Sequence, residues 1–203
     1  MDGRGGAKQE TGWPRSPTLV TALVLCAVFP LQYLLSVVGG APVFALSLPL
    51  GVAPWTLVTS VYAHAGIWHL VSNVVVLVPV GLLVERGTTP VRYHAYFLAS
   101  GAIGGVTQVL VTGPDGSAAV IGASGAVFAL VGYLVTGNRL SNRVLGRVAG
   151  GAVSERVLTL ALVVVAVVLA VAVSGPGTAL VAHATGLAIG LLSGWRRVLA
   201  AGR

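Results

Sequence analysis

Two residues of this sequence could together form a hydrolytic pair. Ser124 lies between glycines in the segment Gly122–Gly125, and His183 lies three residues before Gly186. A hydroxyl is a weak nucleophile until a base removes its proton, and histidine suits that role because its ordinary pKa is about 6.5. A serine beside glycine is also common where transmembrane helices touch, since small residues let two backbones approach closely. From this motif alone, Ser124 could be either a nucleophile or a small residue at a helix-packing contact.

Polar side chains that could support such a nucleophile occur earlier in the chain, between His64 and Asn73. His69 and Asn73 are four residues apart and therefore share a helix face. Attack on an amide creates an oxyanion that needs preorganised donors, and those available are His69, Asn73 and the Ser124 backbone N–H. The alternative is that both side chains only hydrogen-bond to neighbouring helices.

Metal and carboxylate chemistry fit this sequence less well. His64, His69 and His183 could in principle form a three-histidine metal site, but the step of five residues from His64 to His69 does not place both on one helix face. The sequence has no His-Glu-x-x-His motif, and its apolar runs hold no Asp or Glu except Glu85 at the end of one run. These observations exclude a zinc or an aspartyl intramembrane protease, and we expect neither a metal nor a cofactor.

The composition is that of an integral membrane protein. Of the 203 residues, 56% are hydrophobic and 8% are charged, and the mean hydropathy is +0.93; a soluble domain has about a quarter charged residues. The net charge of +7 does not indicate nucleic-acid binding, because the basic residues lie in short gaps between apolar runs. Cys26 is the only cysteine, which excludes an intramolecular disulfide and a cysteine metal cluster.

Six apolar runs are candidates for transmembrane helices, which need about 20 residues each. The predicted spans are Thr18–Val38, Trp68–Val84, Tyr93–Val111, Val120–Gly137, Val157–Val173 and Ala179–Ala200. The first is longer than the core of a signal peptide, about 7–15 residues, so we expect it to be retained. The predicted organisation is a basic, disordered tail over residues 1–17, one membrane domain over 18–200 and a short tail over 201–203.

The positions of Lys and Arg predict the orientation of these spans. With six spans and a cytoplasmic N-terminus, every Lys and Arg falls on the cytoplasmic side. The opposite connections, residues 39–67, 112–119 and 174–178, contain no Lys or Arg and a single acid, Asp115. We therefore expect both termini in the cytoplasm, and we expect the first connection, which holds Trp55, to lie in the lipid interface.

The fourth and sixth predicted helices each carry a face of small residues: Gly125, Ala129 and Gly132 on one, and Gly186, Gly190 and Gly194 on the other. Two such faces can pack with very close backbones. His183 stands at the outer end of the second face, so this packing would bring it within reach of Ser124.

These segments resemble the rhomboid family of intramembrane serine proteases, along nearly the whole chain from the first span to the sixth. The motifs that carry the resemblance are Gly122-Ala123-Ser124-Gly125, Ala182-His183-x-x-Gly186, and His64-x4-His69-x3-Asn73 followed by Glu85-Arg86. The resemblance implies an all-α polytopic protein, a rhomboid-like bundle of six transmembrane helices with both termini inside.

The resemblance also implies a role for each residue. Ser124 would be the nucleophile and His183 the general base, while His69, Asn73 and the Ser124 N–H would form the oxyanion hole. The supporting residues would be His64, through hydrogen bonding, together with Gly122, Gly125, Phe128 and Gly186. The implied partners are transmembrane protein substrates, cut near their outer end, and the lipid bilayer, with a mobile cap between the fifth and sixth helices.

Two departures from the family pattern lie close to these motifs. Thr56 follows Trp55 where many members have Arg, and Phe128 stands where many have Tyr. At position 56 the loop-anchoring role of the Arg is absent. Phe128 can still pack against the His183 ring but lacks the tyrosine hydroxyl, so we expect it to lower activity at most. A non-catalytic rhomboid-like protein that binds transmembrane segments and a small transporter are the competing functions. The richness in alanine, glycine and arginine indicates a prokaryotic cell membrane.

Overall fold

The computed structural model describes residues 16–37, 39–40, 43–137 and 179–200, together with 157, 160–161, 164–165 and 168. Its elements are α1 (Pro17–Val37), β1 (Leu46–Ser47), α2 (Thr56–Tyr62), α3 (Ile67–Glu85), α4 (Pro90–Thr112), β2 (Ala119–Val120), α5 (Ser124–Gly137) and α6 (Leu180–Trp195). The described chain is mostly helical, as predicted. The fifth predicted span is covered at only a few positions, and the cap, the basic connection over residues 138–154 and nearly all of both tails lie outside the described residues.

In the part of the chain that the structure describes, three helices, α1, α3 and α4, are long and apolar enough to cross a membrane. They have 21, 19 and 23 residues. The apolar helices α5 and α6 are shorter, with 14 and 16 residues. Among the described residues, many large apolar side chains of α1 point outward, including Leu23, Leu31 and Leu34, which are 50–66% exposed. Such a surface suits lipid, which solvates apolar side chains.

Two predicted boundaries were wrong. The fourth span was predicted to begin at Val120, but the helix begins at Ser124 because Gly122 has a φ of +136°, a conformation that cannot continue a helix. The sixth span was predicted to reach Ala200, but α6 ends at Trp195 and turns follow it.

The expected all-α fold also contains a small two-stranded sheet. β1 pairs antiparallel with β2, with Leu46 opposite Val120 and Ser47 opposite Ala119. Leu46 is fully buried and packs against Gly105 of α4. The first connection is thereby tied to the segment that leads into α5, and α2 forms a further helix within this connection.

The contact between α5 and α6 is unusually close. A Cβ on Gly186 would overlap the carbonyl oxygen of Gly125, and one on Gly132 would lie 2.6 Å from the carbonyl oxygen of Leu187. Only glycine allows two helix backbones to approach in this way. The predicted contact between the two small-residue faces is present in the structure.

Buried side chains of α3, α4 and α5 pack together beside this contact. The buried cluster includes Leu70, Leu77, Tyr93, Phe97, Ala126 and Leu130. At the other end of α3, Glu85 accepts hydrogen bonds from the Ser16 hydroxyl at 2.8 Å and from the Thr18 N–H at 3.0 Å, which attaches the start of α1 to the bundle.

Candidate active site

Ser124 is the first residue of α5, directly after a tight turn. The turn depends on Gly122, which has a positive φ and whose N–H donates to the Ser60 carbonyl at 2.8 Å. A side chain at position 122 would be strained by this φ and would lie 2.7 Å from Cε1 of His69. The sequence therefore begins a helix at the serine, where the first backbone N–H groups have no partner within the helix.

His183 lies in the first turn of α6, with only 5% of its surface exposed. Its Nε2 is 2.9 Å from the Ser124 Oγ, which is hydrogen-bonding distance. The close packing of Gly186 on Gly125 lies one turn further along, so the small-residue contact brings these two side chains together.

Phe128 packs against the imidazole ring of His183. It lies one turn after Ser124 on α5, and its ring centroid is 4.8 Å from that of His183, with the planes tilted by 37°. The contact restricts rotation of the imidazole without a hydrogen bond.

His69 lies at the start of α3 and faces the turn before Ser124. A Cβ built on Gly122 would be 2.9 Å from His69 Nε2 and 3.7 Å from Ser124 Oγ, so the imidazole borders the space beside the hydroxyl. Asn73 is buried one turn below, and its Nδ2 donates to the His69 carbonyl at 2.8 Å. That bond uses one of the two N–H groups of the Asn73 amide.

His64 lies before α3 and is 1% exposed. Its hydrogen bonds come from its backbone, whose N–H and C=O both pair with the Gln32 side chain at 2.9 Å. Among the described residues neither ring nitrogen has a hydrogen-bond partner, and the ring meets His69 edge-on at 5.1 Å. Burial, and to a lesser extent the neighbouring His69, lower the pKa of His64 to about 4 against an opposing contribution from the Tyr62 backbone, so its ring is neutral near pH 7.

Sequence reasoning missed two glutamines beside this site. Gln32 holds the His64 backbone, and the Gln108 Oε1 accepts from the N–H of Ala182, next to His183, at 3.1 Å. The available signal was a primary amide inside an apolar span, which is costly unless it is paired.

A small cavity opens beside Ser124. It is lined by Ser60, Gly101, Gly105, Val120, Ile121, Gly122, Ser124, Gly125, Ala179 and Ala182. Most of these residues are small, so a narrow space remains beside the start of α5.

The Rhomboid domain profile matches residues 52–199 of the chain. The chain belongs to the rhomboid family. It is 40% identical to rhomboid protease GluP of Bacillus subtilis over 89 residues, which are 44% of this chain and 17% of that protein. It is 26% identical to rhomboid protease GlpG of Haemophilus influenzae over 141 residues, covering 70% of this chain and 68% of GlpG.

A plant relative matches a shorter part of this rhomboid. RHOMBOID-like protein 5 of Arabidopsis thaliana is 32% identical over 82 residues, which are 40% of this chain and 26% of that protein. The match thus spans about a quarter of this relative and less than a fifth of GluP. With its apolar helices, membership of the family makes this rhomboid an integral membrane protein.

Thr56, one of the two departures from the family pattern, has a local role in this rhomboid. It is 1% exposed, and its hydroxyl donates to the Ala53 carbonyl at 2.6 Å, where α2 begins. The neighbouring Trp55 is 52% exposed. Thr56 therefore stabilises the turn into α2 from within the first connection.

Proposed function

We propose that this rhomboid is an intramembrane serine endopeptidase in which Ser124 is the nucleophile and His183 the general base. The observation that carries the proposal is the distance of 2.9 Å between Ser124 Oγ and His183 Nε2. As Oγ attacks the scissile carbonyl carbon, Nε2 takes the hydroxyl proton and then gives it to the leaving amine. Water, deprotonated by the same nitrogen, releases the acyl group and regenerates the serine.

The oxyanion formed in the attack needs donors beside Oγ. We assign this role to the Ser124 N–H at the start of α5, to Nε2 of His69, which borders the same space, and to the second N–H of the Asn73 amide. A helix N-terminus also favours negative charge. Each such donor typically contributes ~10²–10³-fold in rate.

The dyad works without a carboxylate to orient the imidazole. The two acids in the described part of the chain are elsewhere: Glu85 is bonded to the start of α1, and Asp115 is bonded to Ser117 in an exposed turn. Packing contributes to orienting the ring, with Phe128 on one side of His183 and the α5–α6 backbone contact below it. This device holds the ring without placing a charge in the membrane, where charges are costly.

The site lies at one end of the bundle, near the starts of α3, α5 and α6. The opposite ends carry exposed arginines, namely Arg86, Arg92, Arg196 and Arg197. Because cytoplasmic connections are rich in Lys and Arg, we infer six spans with both termini in the cytoplasm and a site near the outer face of a prokaryotic cell membrane. The substrates are transmembrane proteins, cut near their outer end.

Labelling with a fluorophosphonate tests the nucleophile directly. In folded protein, Ser124 Oγ is expected to bond to phosphorus with loss of fluoride while His183 accepts the proton, and peptide mass spectrometry should locate the adduct on Ser124. Ser117→Ala is the matched control, because Ser117 is exposed at the same end of the protein and, among the described residues, is bonded only to Asp115. If labelling is lost in Ser117→Ala but kept in Ser124→Ala, Ser124 is not the nucleophile. If folded protein is never labelled, the result favours a non-catalytic binder of transmembrane segments.

Phe128→Ala is expected to lower kcat by about 10-fold, with KM changed less than two-fold. The ring contact with His183 is lost, so the imidazole spends less time in line with Oγ, and such misplacement costs up to ~10²-fold. Phe128→Tyr, which keeps the ring, should retain at least the wild-type rate. Steady-state cleavage in proteoliposomes measures both variants, and equal kcat values for Phe128→Ala and wild type would show that packing does not orient the base.

A further inference from the structure

Gln32 is a polar residue in the second half of α1, among mostly apolar side chains. Its neighbours Leu31, Tyr33 and Leu34 are 50–71% exposed, whereas Gln32 is partly buried and faces the start of α3. Its amide makes two hydrogen bonds to one residue: Nε2 donates to the His64 carbonyl and Oε1 accepts from the His64 N–H, both at 2.9 Å. Two parallel bonds fix the orientation of the His64 backbone as well as its position.

The next hydrogen bond along the chain reaches the ring of His69. The N–H of Ala65, which follows the held residue, donates to Nδ1 of His69 at 3.4 Å. A nitrogen that accepts carries no proton, so in a neutral ring the proton is on Nε2. This tautomer is inferred from heavy-atom geometry. Nε2 is the nitrogen that borders the space between Gly122 and Ser124 Oγ.

The two hydrogen bonds to Gln32 are made by the His64 backbone and not by its ring. Within the described residues, neither of its nitrogens makes a hydrogen bond, and its contact with His69 is edge-to-ring. The Gln32 amide therefore acts on the backbone that carries the Ala65 N–H.

We propose that Gln32 is a positioning residue for His69: by holding both backbone groups of His64, it keeps the Ala65 N–H on Nδ1 and so keeps the His69 proton on Nε2, facing the nucleophile. The kinetic part of this inference rests on the proposed function of His69 as an oxyanion donor. The tautomer does not depend on that function.

The test compares Gln32→Met, which keeps the length of the side chain but removes both hydrogen bonds, with Ser36→Ala as control. The Ser36 hydroxyl donates to the Tyr33 carbonyl within α1, so its loss tests removal of a polar group from the same helix. We expect Gln32→Met to lower kcat by about 10- to 100-fold with KM changed less than two-fold, less than the ~10²–10³ of losing a donor outright. Ser36→Ala should keep the wild-type kcat.

A double-mutant cycle separates positioning from general loss of structure. In a His69→Ala background, Gln32→Met should lower kcat no further, because the group that it positions is absent. A full additional loss in that background would overturn the proposal, as would a wild-type kcat for Gln32→Met in the presence of His69.

Nitrogen NMR of ¹⁵N-histidine-labelled protein reads the tautomer without any substrate. The wild-type His69 ring, assigned by its absence in His69→Ala, should carry its proton on Nε2. Gln32→Met should populate the Nδ1–H form, and Gln32→Glu with its carboxyl protonated should restore Nε2–H, because it again offers one acceptor and one donor. An unchanged tautomer in Gln32→Met overturns the proposal. If wild-type protein cleaves nothing, the proposed function fails, but this measurement still decides the role of Gln32. If Gln32→Met does not fold, the role of Gln32 is decided by the spectrum of Gln32→Glu, recorded while its carboxyl group is titrated.

Discussion

Ser124→Ala is expected to reduce cleavage of a reconstituted transmembrane substrate on the order of 10⁴-fold or more while the protein remains folded. The substitution removes one oxygen from a partly exposed position at the start of α5, where that oxygen is hydrogen-bonded to His183. Losing a catalytic serine costs a hydrolase nearly all of the rate that its catalytic group provides. The measurement is the initial rate of product formation in proteoliposomes, with thermal unfolding in detergent as the check on folding.

His183→Ala should reduce the rate by a similar factor, and the double variant should be little worse than either single one. The rate losses from substituting residues that act as one catalytic unit are strongly non-additive, because the second substitution removes a group that no longer contributes to catalysis. His94→Ala is the matched control, since His94 lies in α4 and its ring bonds to Thr21 of α1, away from Ser124. Wild-type cleavage by both Ser124→Ala and His183→Ala would remove the dyad as an explanation of any activity.

The predictions from sequence succeeded where a pattern depended on spacing along a single element. Glycine at helical intervals indicated the faces of α5 and α6, and the structure brings Gly186 onto Gly125. Once these faces meet, the position of His183 near Ser124 follows from the helical repeat. Membership of the rhomboid family, inferred from the same motifs, is confirmed by the match over residues 52–199.

Features that depend on contacts between distant segments could not be predicted in this way. The pairing of Leu46 with Val120 depends on two residues in each strand, too few for an alternating pattern to show. The start of α5 at Ser124 depends on the backbone conformation of Gly122, and glycine permits many conformations. The bonds from Gln32 to His64 join residues 32 positions apart, and no local periodicity connects them.

The same glycine contact that allows the dyad makes Gly186→Ala the most disruptive alanine substitution that we expect at any glycine in the described part of the chain. An added Cβ would overlap the carbonyl oxygen of Gly125 and approach its Cα to 3.2 Å, and both atoms belong to helix backbone that cannot rotate away. Overpacking typically costs about 1–3 kcal/mol, and more where backbone must move. Alanine favours an isolated helix over glycine by about 1 kcal/mol, so a loss of stability here cannot be attributed to helix propensity.

The expected result for Gly186→Ala is a large fall in thermal stability and, in any protein that folds, loss of fluorophosphonate labelling at Ser124. Labelling is lost because separating α5 from α6 moves the imidazole beyond hydrogen-bonding distance of the hydroxyl. Gly51→Ala is the control, since a Cβ there would meet nothing within 4 Å. Stability and labelling equal to those of Gly51→Ala would mean that α5 and α6 are further apart than the contact requires. The Ser124–His183 distance depends on that contact, so the catalytic proposal would then lose its structural basis.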